Sequence, residues 1–364
     1  MNQISKENSS KDHPYHKFST GNLDTLSEIP KKHSLDVRKA LLEFHSKMYS
    51  ADVMKLVIVG REELDKLEEW ARSMFSGVEN KKRGALLWRG LPFSQEQLCT
   101  VSRVVPVQDV RELQLSFQLP SQLPLFHEKP TDLFSHLFGH EAKGSILYHL
   151  KQKGLATALA SGASASNSSF FFFDIVVDLT EEGLNDPWSV LQAIFEYVHL
   201  LRKEGVEEWV FKELKALGEI SFRFKEKEEP RSLATSLAPR MHYCPPHLLL
   251  QYPYLLDKFD PKLIEEYLHK YFTPENCSVV ILSKEFESVA NLTEKWYKAK
   301  YSREKIPQEV VQRLKESHLD SQLPQLHLPK PNIFVAEKFD IKSAEHTDAN
   351  APPQMVRQES FCKV

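Results

Sequence analysis

The chain contains 364 residues, of which 41% are hydrophobic, so it can bury a substantial core, and its length is typical of two domains. Its 47 basic and 50 acidic residues leave a formal net charge of -3, which provides no field to attract nucleic acid or an anionic membrane. The composition therefore indicates a soluble globular protein and argues against a nucleic-acid partner.

The cysteines and the N-terminal residues predict a cytoplasmic protein. Cysteines 99, 244, 277 and 362 lie far apart and form no C-x-x-C pair, which is typical of reduced thiols. The first residues lack the apolar run of a secretory signal peptide, and no stretch approaches the roughly 18 apolar residues that span a bilayer. We therefore expect no membrane partner.

A helix and a strand are predicted near the N-terminus. In DVRKALLEFHSKMY, apolar residues recur at the spacing of a helix, namely Val37, Leu41, Phe44 and Met48. MKLVIVG then predicts a short buried strand that ends at Gly60. The run GVENKKRGALLWRGLPF is basic, contains glycines and has no helical stripe, which indicates a linker over residues 77–93.

The next segments predict strands and then helices. LCTVSRVVPV and RELQLSFQLP are expected to be strands, and PTDLFSHLFGH and GSILYHLKQKG helices, with Ser145 capping the second helix and Gly154 ending it. In SSFFFFDIVVDL, apolar residues alternate with period two, which predicts a central strand. One face of that strand comprises Phe171, Phe173, Ile175, Val177 and Leu179. We expect Phe170 and Phe172, on the other face, to be covered by neighbouring helices.

Two further helices follow. The first helix has apolar residues at a spacing that places them on one core-facing stripe, namely Trp188, Leu191, Phe195, Val198 and Leu201. The second, EEWVFKELKALGEISFRFKEKEEP, is longer and charged. The order of these elements predicts an α+β fold with helices packed on one face of a mostly antiparallel sheet, because strands come first, then paired helices, then a closing helix and strand.

One pattern occurs twice in the chain. EFHSKMYSADVMKLVIVGRE (43–62) and EYLHKYFTPENCSVVILSKE (266–285) share a helix, an aromatic residue, a polar turn and an apolar strand, with Tyr49 matching Phe272. The repeat predicts that each copy is the end of a domain of the same type, and the alternative is that the two segments are similar by chance. Because few residues precede the first helix, we expect residues 1–76 to be a partial copy of the fold, 94–341 a complete domain and 342–364 a disordered tail.

His136 and His140 stand four residues apart beside Glu141, which suggests a zinc site. Metallopeptidase helices carry H-x-x-E-H or H-E-x-x-H, and neither motif occurs in this sequence. Histidines at i and i+4 can chelate, but the sequence shows no third distant ligand. A cryptic zinc site at His136 and His140 therefore stays an alternative to ordinary hydrogen-bonded helix histidines.

With these segments in place, the chain resembles the insulinase (pitrilysin-type) zinc metallopeptidases, in particular their insulin-degrading enzyme and nardilysin branch. The resemblance rests on HPYHKFSTGN, VVPVQDVRELQLSFQLP, GHEAKGSILYHLKQKG, VDLTEEG and EEWVFKELKALGEISFRFKEKEEP, in that order from about His13 to about Ile341. It implies homologous α+β domains that enclose unfolded peptides, with the zinc ligands and the general base upstream of HPYHKFSTGN. We therefore expect the end of a first domain and a second domain, with no catalytic residue, metal site or cofactor in this chain.

The resemblance also implies an exosite that holds the substrate's N-terminal part by adding it to a sheet edge. The matching positions are His136, Leu137, Phe138, Gly139, His140, Glu141 and Ala142, together with Leu159, Ala160, Ser161, Gly162 and Ala163 on a strand. Glu141 could pair with the terminal amine of a substrate.

Three positions depart from the family pattern. The family usually carries two glycines where this chain has Ser161 and Gly162, and a glycine in place of Ala142. The added atoms predict narrower access to the backbone. A family anion site has an arginine where this chain has Glu229, with Arg231 kept as a remnant, which argues against phosphate or nucleotide regulation.

The resulting prediction is a segment of a zinc metalloendopeptidase that binds extended peptides but does not cleave them alone. One alternative is a non-catalytic interaction module that associates with itself or with a full-length peptidase of the family. The other is a metalloenzyme that uses the cryptic zinc site.

Overall fold

The computed structural model describes residues 1–316 and 326–332. Its α-helices are α1 (Asn2–Glu7), α2 (Ile29–Lys32), α3 (Val37–Met48), α4 (Leu64–Phe75), α5 (Pro130–Phe138), α6 (Ile146–Gln152), α7 (Glu181–Asn185), α8 (Pro187–Glu204), α9 (Glu208–Arg223), α10 (Pro230–Arg240), α11 (Pro261–Lys270) and α12 (Gln308–Lys315). Its strands are β1 (Thr100–Val104), β2 (Glu112–Pro120), β3 (Ala156–Ser166), β4 (Phe170–Leu179), β5 (Cys277–Leu282), β6 (Leu292–Thr293) and β7 (Lys300–Lys305).

The strands form one open sheet in the order β3-β4-β2-β5-β1-β7-β6. Neighbouring strands are antiparallel except β1 and β5, which run parallel. The predicted α+β class with a mostly antiparallel sheet is confirmed. Strands β3 and β6 are the edges of this sheet.

One face of the sheet carries the main core. The alternation predicted for β4 is confirmed, because Phe173, Ile175 and Val177 are fully buried against residues of β2. Helices α5, α6, α8, α9, α11 and α12 contribute many of the other buried residues of this cluster. Burying each large apolar side chain stabilises the fold by roughly 1.5–3 kcal/mol, so this helix-covered face holds most of the folding energy.

The opposite face of β4 is covered in another way. Phe170 and Phe172 pack with Phe93 and Leu98, and the Tyr15 ring lies edge-on to them at centroid distances of 5.4 and 5.2 Å. The expectation that neighbouring helices would cover these two phenylalanines was wrong. The helices of the main core all lie on the other face, so residues that precede β1 provide the cover.

The first helix and strand of the chain behave differently. Helix α3 forms as predicted, with the Asp36 carboxylate accepting a hydrogen bond from the Lys39 N–H at 3.0 Å. Its apolar stripe reaches no core, since Leu41 is 62% and Phe44 53% exposed. The strand predicted over residues 54–60 was wrong, because no strand of the described part pairs with this segment.

The predicted linker, tail and charged helix compare with the structure as follows. Residues 77–93 form neither helix nor strand, and the tail predicted over residues 342–364 lies outside the described residues. The charged helix α9 ends at Arg223, and Pro230 begins α10 as a separate helix. No helix within residues 1–316 and 326–332 has the length and apolar character needed to cross a membrane.

Candidate functional site

The predicted exosite residues lie on helix α5, on the loop that follows it and on edge strand β3. Helix α5 is fixed to the sheet by its buried face, which comprises Leu133, Phe134, Leu137 and Phe138. Strand β3 pairs with β4 alone, so its other side has no strand neighbour in the described part of the chain. The end of α5 therefore lies beside an edge strand.

The predicted positions differ in accessibility. Leu137, Phe138 and Leu159 belong to the main core and are 1%, 0% and 7% exposed, so their side chains cannot contact a ligand. The half-buried positions are His136, Gly139, His140, Ser161 and Gly162, and the exposed ones are Glu141, Ala142, Ala160 and Ala163. These two sets form the accessible part of the candidate site.

Two serines join α5 to β3. The Ser135 hydroxyl donates to the Ser161 carbonyl oxygen at 2.6 Å, and the Ser161 hydroxyl donates to the Ser135 carbonyl oxygen at 2.9 Å. We call Ser135 and Ser161 the serine pair. Sequence reasoning missed Ser135, because its partner lies 26 residues away and no local pattern signals the contact.

Two glycines allow the helix and the strand to approach each other. A Cβ on Gly139 would lie 2.8 Å from the Ser135 carbonyl oxygen and 3.2 Å from the Ser161 hydroxyl. Gly162 has φ +153°, which an L side chain rarely adopts, and its Cβ would lie 3.2 Å from the Ser135 hydroxyl. Both glycines thus surround the serine pair, and larger residues would separate α5 from β3.

Irregular pairing borders the accessible stretch of β3. The register against β4 shifts between Ala156 and Ala158, and again between Ala163 and Ala165. Bulges of this kind are common at sheet edges, where they end or redirect pairing. The predicted stretch 159–163 lies within the regular part between the two shifts.

His136 and His140 are neighbours with lowered basicity. Their ring centroids are 6.1 Å apart. Burial lowers the pKa of His136, and the Glu213 carboxylate of α9 partly opposes this. Burial and the nearby His136 lower the pKa of His140, opposed by Glu213 and Glu141. Both imidazoles are therefore predominantly neutral at pH 7.

The two histidines do not form a zinc centre with the described residues. Nowhere in residues 1–316 and 326–332 do three or more His, Cys, Asp or Glu side chains lie together in a group able to hold a metal ion. A structural or catalytic zinc site needs at least three protein ligands. The residues that the structure describes do not fit the cryptic zinc site.

A distant segment lies against the loop after α5. The His327 N–H donates to the Gly144 carbonyl oxygen at 3.0 Å, and a Cβ on Gly144 would lie 2.4 Å from the His327 ring. Gly144 itself has φ +90°. Leu326 and Leu328 pack against the main core beside this contact. Sequence reasoning missed this neighbour of the candidate site.

Arg231, the predicted remnant of an anion site, lies on a different element. It is exposed in the first turn of α10, directly after Pro230 and two residues after Glu229. The Glu229 carboxylate adds negative charge close to Arg231 in the chain, which disfavours an anion there. The absence of anion regulation stays a prediction.

Comparison with known proteins identifies the relatives of this fold. The family profile described as the peptidase M16 inactive domain matches residues 36–217, and that of the middle or third domain of peptidase M16 matches residues 222–364. Insulin-degrading enzyme from Mus musculus is 39% identical over 362 residues, covering 100% of this chain and 35% of the relative. The A-factor-processing enzyme of Saccharomyces cerevisiae is 35% identical over 364 residues, again covering 100% of this chain and 35% of the relative. The chain thus spans about a third of the length of these relatives.

Solved structures agree with the sequence matches. The crystal structure of pitrilysin aligns with a TM-score of 0.83 at 28% identity, over 95% of this chain and 36% of that one. A peptidase M16 inactive domain from Pseudomonas fluorescens aligns with a TM-score of 0.53 at 15% identity, over 76% of this chain and 63% of that one, which shows a shared fold alone. The resemblance drawn from the sequence is confirmed: this chain belongs to the peptidase M16, or insulinase, family.

Proposed function

We propose that this chain binds extended peptides between α5 and β3, as the substrate-holding part of an M16 metallopeptidase. The observation that carries the proposal is the position of β3 at the edge of the sheet, with an accessible regular stretch beside the end of α5. An extended peptide can hydrogen-bond to such an edge through its main chain, which gives affinity with little dependence on sequence. The small side chains of Ala160, Ser161 and Ala163 permit this approach.

The side chains around the stretch would add selectivity. Neutral His136 and His140 each offer one ring donor and one ring acceptor. Glu141 is exposed and would pair with a peptide's terminal ammonium group. This arrangement favours the N-terminal part of a peptide as the bound segment.

Hydrolysis by this chain alone is not part of the proposal. A hydrolase of this class uses a metal to activate water and a carboxylate to accept its proton. The sequence contains no H-x-x-E-H motif, and the described residues supply no metal-binding group. Peptide holding is the chemistry that the present side chains support.

The cytoplasm is the compartment we propose for this function. Cys99, Cys244 and Cys277 are free thiols. Free cysteines are typical of proteins in a reducing compartment.

A paired set of variants tests the peptide site. The names of the insulin-degrading enzyme relatives make the insulin B chain, with its cysteines blocked and a fluorescent label, a suitable probe. Ser161→Pro removes a backbone donor from the edge strand and should raise the Kd at least about tenfold. Ser135→Ala frees the Ser161 carbonyl oxygen from the serine pair, so that it can accept a hydrogen bond from the peptide. One such bond of roughly 1 kcal/mol should lower the Kd about fivefold.

Fluorescence anisotropy measures both changes, with circular dichroism as a check of folding. Ser166→Ala is the matched control, because Ser166 is exposed on β3 beyond the second register shift. Its Kd should equal that of the parent chain. Equal Kd values for the parent and a folded Ser161→Pro variant would exclude edge-strand addition.

A second candidate function is supported by a separate observation. Large apolar side chains are exposed in the first part of the chain, including Leu41, Phe44, Leu64, Met74 and Trp88. Exposed apolar groups at this density are typical of protein interaction surfaces. We infer that this part can associate with another M16 chain or a second copy, which light scattering on a Phe44→Glu variant tests.

A further inference from the structure

A cavity with a polar floor lies on the sheet face that carries no main-core helices. Residues 1–16 cover it from above, with Ile4, Ser5, Asn8 and Tyr15 among its lining residues. The sheet forms its floor through alternate residues of β1, β2, β4 and β5. These floor residues are Thr100, Ser102, Gln114, Ser116, Asp174 and Ser278.

The register of the sheet places three of these polar residues side by side. Ser116 of β2 pairs with Asp174 of β4 on one side and with Ser278 of β5 on the other. Their neighbours along each strand, such as Leu115 and Phe173, point into the main core on the opposite face. The hydroxyl groups of Ser116 and Ser278 therefore lie in one row with the Asp174 carboxyl group.

Asp174 is 5% exposed and incompletely paired. One carboxylate oxygen, Oδ2, accepts a hydrogen bond from the Gln114 amide. The other, Oδ1, is buried without a hydrogen-bond partner in the described part of the chain. Burial raises the pKa of Asp174, and the nearby polar side chains of Ser164, Ser116 and Gln114 oppose the rise.

Two cationic groups line the described part of the cavity, the Met1 terminal ammonium and Arg303, and neither pairs with this carboxylate, since the ammonium interacts with Glu112 and Glu294. Arg303 is the basic side chain among the described lining residues. Its guanidinium group donates instead to the Asn8 side-chain oxygen at 3.2 Å and to the Gln97 carbonyl oxygen at 2.6 Å. A buried carboxylate without an opposite charge is costly, so the site favours either protonation or a bound cation.

The size and the ligand set define which cation fits. The cavity has a volume of about 50 Å³, which exceeds the roughly 10–15 Å³ needed for one water molecule. Divalent ions in proteins take several carboxylates or histidines, and the described residues contain no such group. One carboxylate surrounded by hydroxyl and amide oxygens suits a small ion of single charge.

We propose that this cavity is a binding site for a monovalent cation, with Asp174 as its charged ligand and Ser116 and Ser278 as hydroxyl ligands. The ion is either an alkali ion or the ammonium head of a small primary amine. Its binding would neutralise the buried carboxylate beneath residues 1–16. This site is separate from the peptide site proposed for α5 and β3.

Thermal unfolding of the full chain tests the site. Samples in potassium, sodium or methylammonium chloride are compared with choline chloride at equal ionic strength, since choline is too bulky for the cavity. A fitting cation should raise the melting temperature by about 3 °C over choline. Asp174→Asn keeps the shape but removes the charge, and should abolish the difference. Asp178→Asn removes the same charge from an exposed position of β4 and should preserve the difference in melting temperature.

A direct measurement makes the result independent of stability. The Asp174 carboxyl resonance, titrated by carbon NMR, should show a lower pKa in the stabilising salt than in choline chloride. A potassium effect without a methylammonium effect identifies an alkali-ion site, and the reverse identifies an amine site. Equal melting temperatures in all four salts, or a salt effect that survives in Asp174→Asn, would overturn the proposal.

Discussion

The same helix and strand pattern occurs twice in this chain, and only one copy is part of a core. In the copy at 266–285, Phe272 is 0%, Val279 1% and Ile281 1% exposed. In the copy at 43–62, Tyr49 is 49%, Leu56 44% and Ile58 38% exposed. The two sequences have similar apolar content, so apolar content does not explain the difference.

Neighbouring strands explain it. Strand β5 lies between β2 and β1, which pair with its backbone groups on both sides. No described strand pairs with residues 54–60, so their N–H and C=O groups gain nothing from an extended conformation. An apolar strand pattern therefore yields a strand only where the fold provides a pairing partner and a helix to cover one face.

The largest test of this comparison is a truncation at the matching aromatic positions. The Phe272 ring contacts four other rings of the core, those of Phe117, Phe134, Phe138 and Phe173, at centroid distances of 4.8 to 5.5 Å. Phe272→Ala should lower the free energy of unfolding by about 3–5 kcal/mol. Tyr49→Ala, which removes a half-exposed side chain stacked on His45, should change it by less than about 0.5 kcal/mol.

Urea unfolding followed by circular dichroism measures both values. Phe272 and Tyr49 hold matching places in the repeat, so each variant is the control of the other. Equal losses for the two variants would show that the first copy also packs against a core.

The sequence predicts the strands and helices that surround the second copy well because local signals and packing agree there. The alternation in β4, the cap at Ser145 and the stripe of α8 each correspond to an observed element. Burial on one face enforces the period of a strand or helix, so the period is visible in the sequence. The strand over 54–60 failed because the same period says nothing about whether a partner strand is present.

The candidate sites depend on contacts that no local pattern encodes. The family resemblance located α5 and β3, but Ser135, Glu213 and His327 join that region from separate parts of the chain. The Asp174 cavity depends on residues 1–16 lying over the sheet, and no local pattern in the sequence predicts that contact.

A second test uses pH, because a closed core penalises a buried charge. His149 of α6 is 4% exposed, and burial, with a smaller contribution from Lys153, lowers its pKa to about 4. The unfolded chain binds a proton near pH 6.5, so it holds more protons than the folded chain between pH 6.5 and pH 4. The contribution of neutral His149 to stability is therefore fully present above pH 6.5. The free energy of unfolding should fall by about 2 kcal/mol between pH 7 and pH 5.

Urea unfolding at several pH values measures this slope. His149→Gln cannot take up the proton and should remove the contribution, whereas Lys153→Gln should reduce it only slightly. A His149→Gln variant with the full slope would assign the pH dependence to other groups, such as His136 and His140, whose pKa values are also lowered.

The smallest expected effect on stability belongs to the exposed face of the first copy, where the comparison predicts a surface in place of a core. Phe44 is 53% exposed on α3, so Phe44→Glu should change the free energy of unfolding by less than about 0.5 kcal/mol. Its effect should be on association, because a charge in an apolar contact opposes desolvation. Light scattering over a concentration series should show less association for Phe44→Glu than for Ser46→Glu, which adds the same charge at another exposed position of α3. A large stability loss in Phe44→Glu would mean that α3 packs against a core. Equal association of both variants would place the contact elsewhere. Helix α3 therefore decides whether the first copy acts as an interface.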